Sequence, residues 1–119
     1  MKSNYDPNEC QKFLSNIEPK MPKDLILLYS SKLQTYCPIE ELHELRTGQY
    51  IKWIPKENTS IIKPGGVYIG VKFCNTGTLL TVRMIFGRER RYRIFHLKFD
   101  NYYIFQKIRK EDIFINMIR

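Results

Sequence analysis

The sequence predicts an α+β chain: short N-terminal helices in residues 1–46, packed on a small five- or six-stranded antiparallel barrel in residues 47–119. Three observations carry this. The apolar period changes near residue 47 from three or four residues to two. The charge balance changes at the same place: residues 1–46 hold six basic and seven acidic side chains, residues 47–119 fourteen and five. Beyond that boundary, turn residues recur at short intervals between β-branched and aromatic runs, as a small barrel requires.

The elements follow in order. Asp6-Pro7 opens a first helix running to about Ile17, with Cys10, Phe13, Leu14 and Ile17 on its buried side. Pro19 and Pro22 end it. Asp24 caps a second helix through Leu33, with Leu25, Leu28 and Tyr29 together. A third short helix after Pro38 sets Ile39, Leu42 and Leu45 against Glu40, Glu41 and Glu44, and Gly48 lies just past its end. Strands are then predicted at 49–54, 67–74, 78–86, 90–99 and 102–106, with a last one through Ile113, Ile115 and Met117. Val67, Ile69, Val71 and Phe73 alternate with Tyr68, Gly70, Lys72 and Cys74, and Phe95, Leu97 and Phe99 form an inward row. Asn75-Thr76-Gly77, Gly87 and Asp100-Asn101 supply the turns. The long loop after the first strand, the central hairpins and the one-turn break before the last strand match the layout of an SH3-like or Tudor-like barrel.

Composition excludes several classes. With 43% hydrophobic and 13% aromatic residues in 119, the chain can bury a core and is not disordered. No stretch approaches the ~18 apolar residues of a membrane helix. The N-terminus carries Asp6 and Glu9 and has no apolar core of a secretory signal. Cys10, Cys37 and Cys74 are widely spaced and form no C-x-x-C pair, which points to reduced thiols in an intracellular compartment, with no metal and no cofactor. The lack of alanine and the fifteen isoleucines mark an AT-rich gene.

No catalytic motif is present: no G-x-S-x-G, no phosphate-binding glycine loop and no H-E-x-x-H. His43 and His96 are the only histidines; His43 is placed beside Glu40 and Glu44, and His96 mid-strand opposite Phe95 and Leu97, so they read as unrelated residues rather than an acid–base pair. Asp6, Asp24 and Asp100 sit at caps and turns. The chain reads as a non-enzyme with no small-molecule substrate.

What remains is basic and aromatic. The formal charge is +8. Arg88, Arg90, Arg91 and Arg93 surround Tyr92, and guanidinium groups grip phosphate and stack on bases. Tyr50, Lys52, Tyr68 and Lys72 are placed on strand faces away from the core, where rings beside lysines form a stacking platform for single-stranded nucleic acid. Lys107, Arg109 and Lys110 add charge near the end. Arg91 and Arg93 share a side with Phe95 and Leu97, so they must reach past the core's rim near Gly87. Two readings stand: a nucleic-acid-binding module, or a structural or assembly protein whose basic face meets an acidic protein. Trp53 alternates in phase with Ile51 and is read as core; the other reading is an aromatic cage with Tyr50, Tyr68 or Tyr92.

The stretch LHELRTGQYIKWI…KPGGVYIGV resembles small SH3-like or Tudor-like β-barrel proteins of large DNA viruses, through Leu42, Leu45, Gly48, Tyr50, Ile51, Ile54, Gly65 and Gly66. The resemblance spans about a fifth of the chain. It implies a viral source and a virion-associated role, and no activity.

Overall fold

The computed structural model describes residues 8–89 and 91–109. Two short helices come first, α1 at Glu9–Ser15 and α2 at Lys23–Lys32. Six strands follow: β1 Tyr36–Ile39, β2 Tyr50–Pro55, β3 Gly66–Cys74, β4 Gly77–Phe86, β5 Arg91–Lys98 and β6 Tyr102–Lys107. They lie in one sheet in the order β1-β6-β2-β3-β4-β5, so the chain is α+β. The predicted last strand, 113–117, lies outside the described residues. Among the described residues the sheet does not close: β1 and β5 end it, and the expected barrel closure is absent.

The described residues fall into two compact units, 8–38 with 107–109, and 39–106. In the first, α1 packs on α2, and Cys10, Leu14, Tyr29, Leu33 and Tyr36 are buried. The Cys10 thiol donates to the carbonyl of Tyr36 at 3.1 Å. Burial, then Cys37, then Glu9 push that thiol up to about 12. Two expectations fail here. Asp24 does not cap α2; Pro22 occupies that position and Asp24 sits in the first turn, where a carboxylate favours the helix dipole. Leu28, expected inside, is 51% exposed, and the buried positions of this segment are Tyr29 and Leu33.

The third helix is also corrected. Ile39 belongs to β1, and only a 3-10 turn, Leu42–Glu44, forms. The Glu44 carboxylate accepts the N–H groups of Glu40 and Glu41 at 3.0 and 2.9 Å, which favours a tight turn over a propagating helix. Pro38 fits β1 because that strand ends the sheet, where a missing N–H is tolerated.

The second unit is built on β2, β3, β4, β5 and β6, paired antiparallel as β6-β2-β3-β4-β5. Its buried residues include Ile51, Trp53, Ile54, Leu80, Val82, Leu97, Ile104 and Phe105, so Trp53 is core and not part of a cage. Gln106 is buried as well; its side-chain oxygen accepts the Arg46 N–H at 2.7 Å and its amide donates to the Glu44 carbonyl at 3.1 Å. Gly65 takes φ +106°, the turn the sequence placed there, and Gly66 begins β3.

The β3 pattern departs from simple alternation. A bulge between Tyr68 and Gly70 shifts the register, so Tyr68, Val71 and Phe73 share a face instead of Val67, Ile69, Val71 and Phe73. Tyr68, assigned by sequence to the binding face, is 5% exposed, whereas Phe73 is 72% exposed. The inward row of β5 is shorter than expected: Leu97 is buried, Phe95 is exposed, and Phe99 lies half-buried in a 3-10 turn.

Candidate nucleic-acid interface

Directly opposed residues in antiparallel strands point to the same side. Tyr50 faces Val67, Val67 faces Arg83, and Arg83 faces Ile94, which draws one row across β2, β3, β4 and β5. Alternation extends that side to Lys52 on β2, Lys72 on β3, Thr81 and Ile85 on β4, and Tyr92, His96 and Lys98 on β5. The other side carries Tyr68, Leu80, Val82 and Leu97, the buried row, and beyond it Phe86, Arg91, Arg93 and Phe95. The first side is the solvent side over β3, β4 and β5: Lys72, Arg83, Ile85, Tyr92, Ile94, His96 and Lys98 are all exposed.

The expected site residues therefore divide. Tyr50, Lys52, Lys72 and Tyr92 point to one side, open at Lys72 and Tyr92 but closed along β2, where Ile54 and, opposite Lys52, Phe105 are buried; Arg91 and Arg93 lie on the core side past its rim, as expected; Tyr68 is in the core. Arg88 lies in the turn between β4 and β5. Lys107 and Arg109 belong to the other compact unit, where the Lys107 ammonium lies 5.7 Å from the Tyr36 ring. Arg90 and Lys110 lie outside the described residues.

The turn connecting β4 and β5 gathers guanidinium groups and rings. Phe86, Gly87, Arg88, Glu89, Arg91, Tyr92 and Arg93 line an open concavity of about 770 Å³. The Arg93 guanidinium lies 5.8 Å from the Phe86 ring on one side, and Arg83 lies 5.8 Å from the Tyr92 ring on the other. Phe86 meets Phe95 edge-on at 6.1 Å. Arg91 Nε donates to the Glu89 carboxylate at 2.9 Å, an exposed pair that water and salt weaken.

Two cations were not singled out from the sequence, Arg83 and Lys98. The signal was present: each follows a buried apolar residue, Val82 and Leu97, in an alternating strand, and so faces outward. The strands β2, β3, β4 and β5 hold Lys52, Lys72, Arg83, Arg91, Arg93 and Lys98, and not one Asp or Glu. Lys52, Lys72, Arg83 and Lys98 share one side of the sheet, and Arg91 and Arg93 the other.

The histidines keep separate company. His43 Nδ1 lies 3.2 Å from Glu41 rather than beside Glu40 or Glu44, and His96 Nδ1 lies 3.3 Å from the Thr81 hydroxyl. Among the described residues no three His, Cys, Asp or Glu side chains form a group that could hold a metal ion. Among the described residues no helix is long and apolar enough to cross a membrane. Comparison with protein-family models, with curated proteins and with solved structures finds no match to the chain.

Proposed function

We propose that this protein is a non-enzymatic binding module for single-stranded nucleic acid, held on the solvent side of β3, β4 and β5. The observation that carries the reading is the pairing of exposed cations with an open ring. Lys72, Arg83 and Lys98 stand on one side of a sheet whose central strands contain no carboxylate, and Tyr92 on that side is 63% exposed. Cations spaced along strands follow a phosphate backbone, and an exposed ring stacks on unpaired bases whatever their identity. A duplex hides its base faces, so rings on a broad sheet favour a single strand. Arg88, Arg91 and Arg93 at the turn add long-range attraction. In this reading the strands belong to an SH3-like arrangement, and the protein works inside a cell or within a virus particle.

The test is fluorescence anisotropy with labelled single-stranded DNA and RNA and matching duplexes, across a salt series. Log affinity for single strands should fall with log salt by about 0.7 per phosphate neutralised. Lys72→Ala and Arg83→Ala should each lower that slope by about 0.7. Tyr92→Ala should weaken binding by ~1–3 kcal/mol and leave the slope alone. Arg91→Ala and Arg93→Ala, on the opposite side of the sheet, should change the slope less. A flat salt dependence rejects the reading and leaves the second one, an assembly protein whose basic face meets an acidic protein; the exposed Ile85 and Ile94 beside those cations favour that alternative.

A further inference from the structure

The concavity at the turn between β4 and β5 adjoins the surface proposed above. On the solvent side the rows lead toward it: Lys72 and Lys98 both face Leu79, Arg83 faces Ile94, and Tyr92 faces Ile85 just before Gly87. A single strand lying on that path reaches the turn where β4 and β5 stop. The turn offers charge there. Three guanidinium groups, Arg88, Arg91 and Arg93, line the concavity against one carboxylate, Glu89, a balance of +2 counted without Arg90. Arg91 meets Glu89 through Nε, and the pair is exposed, so its terminal N–H groups can turn to another anion at little cost. The Arg93 guanidinium lies over the Phe86 ring, and a guanidinium held by its face keeps its N–H edge for an acceptor.

We propose that this concavity holds the phosphate monoester at the end of a bound single strand. The inference rests on the nucleic-acid reading above and adds which part of the strand the turn takes. Charge selects the group. A phosphate monoester carries about −1.5 to −2 at pH 7 and offers three acceptor oxygens. A phosphate inside a strand carries a single charge. The +2 balance of the concavity matches the monoester. Guanidinium groups take phosphate oxygens two at a time, so several of them around one group favour the form with more free oxygens. Tyr92, 63% exposed and part of the same lining, gives the terminal base a face to stack on. Charge does not distinguish the two ends of a strand, so a 5′ phosphate and a 3′ phosphate are the same chemistry at this site.

The experiment is fluorescence anisotropy of the full chain with one internally labelled single-stranded DNA, made with a 5′ phosphate, a 3′ phosphate or hydroxyl groups at both ends. At neutral pH at least one phosphorylated strand should bind about tenfold tighter than the hydroxyl strand, the gain of one charge-assisted contact. Which strand gains identifies the end that the turn takes. Below the second phosphate pKa of about 6 the gain should shrink, because the monoester then carries one charge. Arg88→Ala, Arg91→Ala and Arg93→Ala should each remove most of the ratio between phosphorylated and hydroxyl strands. That ratio cancels the long-range attraction these arginines exert on every strand. Lys72→Ala should weaken all strands and leave the ratio alone. Glu89→Gln should raise the ratio and keep its fall in acid, which assigns that fall to the phosphate. Equal binding of all three strands overturns the inference and leaves the surface reading standing. A ratio that survives the arginine substitutions, or that stays constant in acid, overturns it as well. If no strand binds, the surface reading fails and this inference fails with it.

Discussion

At the scale of single residues, Cys10 shows how burial changes chemistry. Its thiol is enclosed between α1 and the chain at Tyr36, and burial holds its proton up to about 12 against an ordinary value of 9.0. In the unfolded chain the same thiol ionises near 9, so above that pH the unfolded state gains a charged form that the folded state refuses. Stability should therefore fall as pH rises from about 9 toward 12. Tyr29 and Tyr68, also raised by burial, push in the same direction. The urea midpoint measured by tryptophan fluorescence between pH 8 and pH 11 checks this; a flat profile above pH 9 contradicts the enclosure. A thiolate is the reactive form, so at pH 8 a thiol reagent should modify half-buried Cys74 well before Cys10.

At the scale of elements, the close passage of β3 against β4 rests on a residue without a side chain. A Cβ on Gly66 would lie 2.7 Å from Val82 Cγ1 and 2.8 Å from the Arg83 carbonyl oxygen. The second contact is backbone and cannot move without disturbing β4. Gly66→Ala should therefore destabilise the fold by ~1–3 kcal/mol, the usual range for overpacking. For a domain of this size that corresponds to a fall in Tm of about 4–8 °C per kcal/mol, read by a thermal melt. An unchanged Tm would mean that β3 and β4 are not so closely apposed. The Gly-Gly pair that the sequence marked as a turn thus has two separate duties. Gly65 supplies a positive φ, and Gly66 supplies room.

At the scale of the whole molecule, the charge of +8 decides how the proposed binding responds to salt. Nucleic-acid binding releases condensed counterions and weakens as salt rises. Raising salt from 50 to 300 mM should therefore weaken oligonucleotide binding, read by anisotropy. An affinity that does not fall would show that the charge described here does not govern it.

Much of this architecture is legible in the residues because it is local. Period-two runs place β2, β3, β4, β5 and β6 within a residue or two of their observed limits, and prolines and glycines mark the breaks. The outward direction of Lys72 and the core position of Trp53 follow from alternation alone. Other features depend on contacts between residues far apart in the chain. The bulge at Tyr68 and Gly70 reverses the facing of half of β3, and it is defined by pairing with β4 rather than by the β3 residues themselves. Tyr36–Ile39 becomes a strand and 42–44 a single turn, where the spacing of Ile39, Leu42 and Leu45 suited a helix, because Gln106 fixes the backbone at Glu44 and Arg46. Which strand is left at the end of the sheet is likewise a matter of order in space. Alternation tells which way a side chain points within its strand; only the pairing of distant strands tells which side of which sheet that is, and whether anything covers it.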